Sequence, residues 1–135
     1  LLDCPPSLGL ITLNGLTAAH SVLIPMQCEY FALEGLTDLV NTIKKVKHFM
    51  NTDIQIEGLL RTIYDGRNTL TKEVSAQLSA YFPNKVYKTI VPRNVRIAEA
   101  PSHGLSAIQF DKRSKGAKAY LELANEIILK EKNND

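Results

Sequence analysis

The chain has 135 residues, enough for one compact domain or for part of a larger one. Its 44% apolar and 22% charged residues are ordinary for a globular protein, and a formal charge of +2 is too small to argue for nucleic acid by itself. No apolar run approaches the ~20 residues needed to cross a bilayer, and Leu1 to Leu16 is broken by Asp3, two prolines and two glycines, so it does not read as a signal peptide.

Leu1-Leu2-Asp3 reads as the end of a parallel strand, its exit stiffened by Pro5 and Pro6. A carboxylate there suits Mg²⁺, which takes hard oxygen ligands and keeps several waters; an N-cap or a surface acid is the plain alternative. Ser7 can cap a helix running to about Ala19, with Leu8, Ile11, Gly15 and Leu16 on one side. Val22 to Met26 is a short apolar run suited to a buried parallel strand that stops near Pro25. Leu33, Leu36, Val40, Ile43 and Val46 recur at three and four, the mark of an amphipathic helix. Its Lys44, Lys45 and Lys47 lie at the far end, where cations suit the helix dipole.

Ile54 to Ile63 predicts the next strand, and Tyr64 to Asn68 a turn with helix-start chemistry. Leu70, Val74 and Leu78 mark the face of a further helix, and Val86 to Val91 a strand closed by Pro92. Asn94 to Gly104 is irregular, with room for one helical turn before Pro101 ends it. Lys115 to about Lys130 is the last helix, with Ala117, Leu121, Ala124 and Ile128 turned inward, and residues 131–135 form a polar tail.

Alternation of this kind implies an α/β fold, a doubly wound and mostly parallel sheet covered on both faces. Ligands of such sheets sit beyond the carboxyl ends of the strands. That singles out Asp3, Gln27 to Glu29, Thr62 to Asn68 and Pro92 to Asn94. Basic residues gather there too: Arg67 follows one strand, Arg93 and Arg96 follow the next, and Lys112, Arg113 and Lys115 precede the last helix. Guanidinium groups grip phosphate bidentately, in binding that is independent of sequence and sensitive to salt. Solvated charges or ion-pair partners are the plain alternative. Cys4 and Cys28 lack a CxxC pairing and a His neighbour, and read as reduced, part-buried thiols of a cytosolic protein. His20, His48 and His103 share no metal-binding spacing, and His103 in its Pro-Ser-His-Gly loop suits a loop-shaping hydrogen bond. No Ser/His/Asp or Cys/His constellation can be argued, so no catalytic residue is assigned.

Four stretches carry a resemblance: Asp3-Cys4-Pro5-Pro6-Ser7-Leu8-Gly9, Gln27 to Gly35, Tyr64-Asp65-Gly66-Arg67, and Pro92 to Gly104. In order and natural spacing they resemble the ParA/Soj chromosome-partitioning ATPases, deviant Walker-A P-loop proteins related to MinD, from the first residue to about Ile128. The resemblance implies that Asp3 is the Walker B acid of a Mg²⁺–ATP site and that Pro5 to Gly9 is a switch segment responding to the γ-phosphate. Pro92, Arg93 and Asn94 look like the loop bordering the adenine, and Glu29 stands where a carboxylate reaches the nucleotide of the partner subunit. Arg67 and Arg96 are similar to arginines that bind non-specific DNA after ATP-driven homodimerisation. A ParB-type partner that stimulates hydrolysis, no membrane, and a cytoplasmic, nucleoid-associated place complete what the resemblance implies.

No GxxxxGK[ST] or Lys-Gly-Gly-x-Gly-Lys-Thr loop occurs in the 135 residues. Residues 1–130 are therefore expected to be the C-terminal portion of a single P-loop NTPase-type domain, N-terminally truncated, with its apolar strand edges unpaired and without ATP turnover of its own. A MinD-like regulator at the membrane is the alternative within the superfamily, against which the polar tail after Ile128 speaks. A stand-alone phospho-acceptor domain is another, though a Lys-Pro pair ending a later strand is missing.

Overall fold

The computed structural model describes residues 1–5, 7 and 9–132. Its sheet holds three strands, β1 (Ser21–Gln27), β2 (Gln55–Tyr64) and β3 (Val86–Pro92), side by side in chain order and all parallel. Strands buried on both faces read as apolar runs, which is how Val22 to Met26 of β1 reads. The helices are α1 (Leu10–Ala18), α2 (Ala32–Phe49), α3 (Thr69–Tyr81), α4 (Val95–Glu99), α5 (Ala107–Phe110) and α6 (Lys115–Lys132), with a 3₁₀ turn at Ala100–His103. Two successive crossovers of one hand, moving one way across the sheet, put both connecting helices on the same face. Accordingly Leu36, Ile43 and Val46 of α2 and Leu78 of α3 pack with Leu16 of α1 and with Ile24, Met26, Ile54 and Leu59 beneath them. The opposite face carries α6, where Ala119 and Leu123 meet Leu60, Tyr87 and Val91. The expected doubly covered α/β sheet is present. Full burial of an aliphatic side chain contributes roughly 1.5–3 kcal/mol, and Ile54, Leu59 and Leu78 have no exposed surface at all.

Several local expectations are corrected. Leu1 to Pro5 forms no strand and is exposed, because a strand needs a ladder partner and none of the three strands pairs with it. The first helix starts at Leu10 rather than at Ser7, with Gly9 at its N-cap; Ser7 instead offers its carbonyl to the Thr12 hydroxyl at 2.6 Å. Thr12 and Leu16 face the core, whereas Ile11 is 76% exposed. Pro6 and Leu8 of the supposed switch segment lie outside the described residues, as do residues 133–135 of the tail. The far end of α1 is tied by Asn51, whose amide donates to the carbonyls of Leu16, Thr17 and Ala19.

Pro25 does not stop β1, which runs on to Gln27; among the described residues β1 pairs only with β2, and an edge strand tolerates a residue without an N–H. Leu70 of α3 is 39% exposed, and Thr71 and Ser75 join Val74 and Leu78 inside. The stretch after β3 is more regular than expected: α4, the 3₁₀ turn and α5 follow one another.

The inward face of α6 is displaced from the one expected. Gly116, Ala117, Ala119 and Leu123 are buried, while Leu121 and Ile128 are 38% and 49% exposed and Ala124 is exposed. Glu126 and Lys130 lie over β3 instead. The Glu126 carboxylate accepts from Lys88 N (2.8 Å), Thr89 N (2.8 Å) and the Thr89 hydroxyl (2.7 Å), and Lys130 Nζ sits 3.9 Å from the Tyr87 ring centroid. These bonds serve a bulge, since β3 advances from Val86 to Ile90 while β2 advances only from Leu59 to Arg61. Arg61 serves the same bulge from the other side, donating to Tyr87 O at 2.7 Å and Lys88 O at 3.4 Å.

Candidate functional site

Because all three strands are parallel, their carboxyl ends deliver the segments Gln27–Ala32, Tyr64–Asn68 and Pro92–Arg96 to one edge of the sheet. After β1, Cys28 turns inward and is buried while Glu29, Tyr30 and Phe31 face solvent. The two aromatic rings meet edge to face, centroids 5.0 Å apart. Met26, Gln27, Glu29, Tyr30, Phe31 and Asn68 help line an open depression of about 660 Å³. Burial pushes the Cys28 thiol up, against the charge of Arg61, so it stays protonated rather than nucleophilic.

β2 leaves the sheet through a distortion. Ile63 has φ +50, a left-handed backbone that a β-branched residue enters only at a cost. It falls where β2 advances from Arg61 to Tyr64 against Ile90 to Pro92 on β3. Tyr64 then accepts from Arg93 N at 3.0 Å, which locks the exits of β2 and β3 together. Beyond it Asp65 and Arg67 form a closed unit: Oδ1 takes Arg67 Nε at 3.0 Å and Arg67 N at 3.1 Å, and Oδ2 takes Nη2 at 2.8 Å. The hydrogen bonds from the Arg67 side chain and backbone, with the charges of Arg67 and Arg93 adding to them, bring Asp65 down to about 2. Asn68 closes the turn by capping α3, its Oδ1 accepting from Leu70 N at 3.0 Å.

After β3, Asn94 caps α4, its Oδ1 accepting from Arg96 N at 3.0 Å and Ile97 N at 3.3 Å. That leaves only its amide nitrogen for any other partner. Arg96 donates from Nη1 to Glu99 at 3.0 Å, stands with Nε 3.8 Å from Asp111, and lies 5.9 Å from the Phe110 ring centroid. His103 stacks on Phe110 at 4.8 Å, so this loop is shaped by ring stacking where a hydrogen bond was expected.

Glu29, Arg67, Pro92, Arg93, Asn94 and Arg96 thus share one edge. Asp3 stands apart from the depression, exposed on an irregular segment; Cys4 beside it packs on Gly15 of α1 and is itself exposed, not part-buried. Among the described residues no three His, Cys, Asp or Glu side chains are grouped as a metal cage. Sequence reasoning passed over Arg61 and Asp111, and gave no role to Asp65 and Glu99 within the stretches it singled out. The Arg96/Glu99 spacing of three on a helix was the available signal for one of these pairs; an arginine inside an apolar strand was the signal for Arg61.

Comparison with known proteins bears on this edge. A family described as an AAA domain matches residues 1–56. The chain is 53% identical over 97% of its length to the chromosome-partitioning ATPase Soj of Treponema pallidum, covering 52% of that protein. It is 48% identical over 98% of its length to the chromosome partitioning protein ParA of Caulobacter vibrioides, covering 49% of that one. The chain therefore spans about half the length of these relatives. Among solved structures, cobyrinic acid a,c-diamide synthase from Mycobacterium smegmatis with bound ADP and magnesium superposes with a TM-score of 0.77 at 36% identity, over 98% of this chain and 47% of that one.

Proposed function

We propose that this chain, a relative of the Soj and ParA chromosome-partitioning ATPases over nearly its whole length, serves in DNA segregation as the DNA-side half of a nucleotide-switched ATPase domain. In this reading residues 1–130 join the remainder of the domain, ATP and Mg²⁺ drive homodimerisation, the dimer holds non-specific DNA in the cytoplasm at the nucleoid, and a ParB-type partner stimulates hydrolysis. The observation that carries it is the lock between strand exits: Arg93 N to Tyr64 O sets the turn bearing Arg67 beside the loop bearing Arg93 and Arg96. Phosphate contacts made by such arginines position a duplex without reading its bases. Lys112, Arg113 and Lys115, all exposed, continue the basic surface past Asp111, which faces Arg96.

The residues present fit one part of a nucleotide site. Asp3 is a single exposed carboxylate, a reasonable partner for a Mg²⁺ that leans otherwise on water and phosphate oxygens. Pro92, Arg93 and the free amide of Asn94 would border a base, and Glu29 would face a partner's nucleotide. The 135 residues contain no GxxxxGK[ST] sequence, the loop whose backbone cradles the β- and γ-phosphates. Bound ATP would supply the free energy of the switch; this chain's own residues would bind DNA and orient the arginines that do so.

The test is retention on duplex DNA of mixed sequence by the full-length protein with ATP and Mg²⁺. Retention should fall steeply between about 50 and 200 mM salt and be lost in Arg67→Ala plus Arg96→Ala. Salt-insensitive retention, or a double variant that binds like the parent, refutes the reading.

A further inference from the structure

Both arginines assigned to DNA already hold a carboxylate. Arg67 presents Nε and Nη2 as a fork, and Asp65 fills both tines at 3.0 and 2.8 Å. Arg96 gives Nη1 to Glu99 at 3.0 Å, with Asp111 farther off at 3.8 Å. A carboxylate and a phosphate offer a guanidinium the same paired oxygens, so one fork cannot serve both. We propose that Asp65 and Glu99 are intramolecular latches, Asp65 filling the fork of Arg67 and Glu99 holding one donor of Arg96, until DNA phosphates displace them, and that they so set the salt and protein concentrations at which DNA is engaged.

The inference rests on the DNA reading and adds an autoinhibitory contact to it. The two latches differ in build. Asp65 is fastened independently of the ion pair, because its Oδ1 also accepts Arg67 N, which holds the carboxylate in place when the side chain lets go. Its lowered proton affinity keeps it charged at neutral pH. Glu99 makes a single bond across one turn of α4, with no such fastening, and is the weaker latch. Arg67 is 90% exposed and Arg96 57%, so solvent screens both pairs and phosphate can reach either fork. Exposed pairs are weak, and opening each latch costs no more than about fivefold in affinity.

The experiment measures affinity for a 60-base-pair duplex of mixed sequence in the full-length protein with ATP and Mg²⁺. Asp65→Asn, whose amide oxygen can still accept Arg67 N and preserve the turn, should bind about two- to fivefold tighter; Glu99→Gln should gain about twofold. The Asp65→Asn gain must vanish in an Arg67→Ala background. If the gain persists there, it is a general effect of removing negative charge, and the latch is overturned. If Arg67→Ala weakens binding but Asp65→Asn fails to strengthen it, Asp65 is a prop for Arg67 and the latch is again overturned. If Arg67→Ala and Arg96→Ala both leave binding unchanged, the DNA reading itself falls.

Discussion

Replacing Gly58 by alanine tests how tightly the α6 face of the sheet is built. A Cβ at Gly58 would lie 2.8 Å from Cζ and 2.9 Å from Cδ2 of Tyr87, and closer still to Cε2. Tyr87 has no exposed surface, with α6 packed over its strand and Lys130 Nζ 3.9 Å above its ring, so the ring cannot step aside. Overpacking of this kind costs about 1–3 kcal/mol, and driving the ring off its rotamer adds roughly 0.5–1.5 kcal/mol. Against that, loss of glycine's freedom in the unfolded chain returns about 0.4–1 kcal/mol. The net loss should be about 2 kcal/mol, read as a fall of about 1 M in the urea midpoint at an unchanged slope of ~2 kcal/mol per M. Tyr87→Leu by itself should also destabilise, through the cavity it leaves. Combined with Gly58→Ala, however, it should recover most of the loss caused by the alanine, since the clash is with the ring. Effects of the two changes that simply add, or a Gly58→Ala chain as stable as the parent, would refute the contact as the reason for glycine here.

Tyr87→Phe should leave stability unchanged or raise it by up to about 1 kcal/mol in the same urea assay, because the buried hydroxyl has no hydrogen-bond partner among the described residues; a clear loss would mean that it has one. Glu126→Ala should cost about 2 kcal/mol by orphaning the Lys88 and Thr89 amides. Burial pushes the Glu126 carboxyl up, but the bonds from Thr89 and Lys88 and the charge of Lys130 outweigh it and hold it below the ordinary 4.5. Its contribution is thus full above 4.5 and is lost as pH falls through the lower folded value, so urea midpoints of parent and Glu126→Gln should converge in acid. Carbon-detected NMR titration should find Asp65 near 2 in the parent and back in the usual carboxylate range in Arg67→Ala; no change would break the pair as the cause. The 135 residues alone should show no magnesium-dependent ATP turnover above background, and turnover abolished by Asp3→Ala would contradict that.

Periodicity and turn chemistry were enough to read the α2 face, the three strands and the helix-starting turn at Tyr64 to Asn68, because each depends on residues within a turn or two of one another. The gathering of Glu29, Arg67 and Arg93 to Arg96 at one edge also followed from alternation, which implies parallel strands with their carboxyl ends together, whereas the order of the strands did not. What depended on distant partners was not legible in the same way. The inward face of α6 was misread because Glu126 and Lys130 count as solvent-facing until a bulged strand with unpaired amides and an aromatic ring lies beneath them. Leu1 to Asp3 has the composition of a strand, yet composition forms no ladder without a neighbour.

The opening acid and the strand-end arginines are properties of the sequence by itself, since their residue types and spacing stand before any fold exists. Only the tertiary structure decided that Arg67 and Arg96 hold Asp65 and Glu99, that Arg61 supports a bulge from inside the sheet, and that Tyr87 lies over Gly58. Each of these is a choice among several possible partners. It is settled by distances of about 3 Å that a parallel sheet and its covering helices impose together.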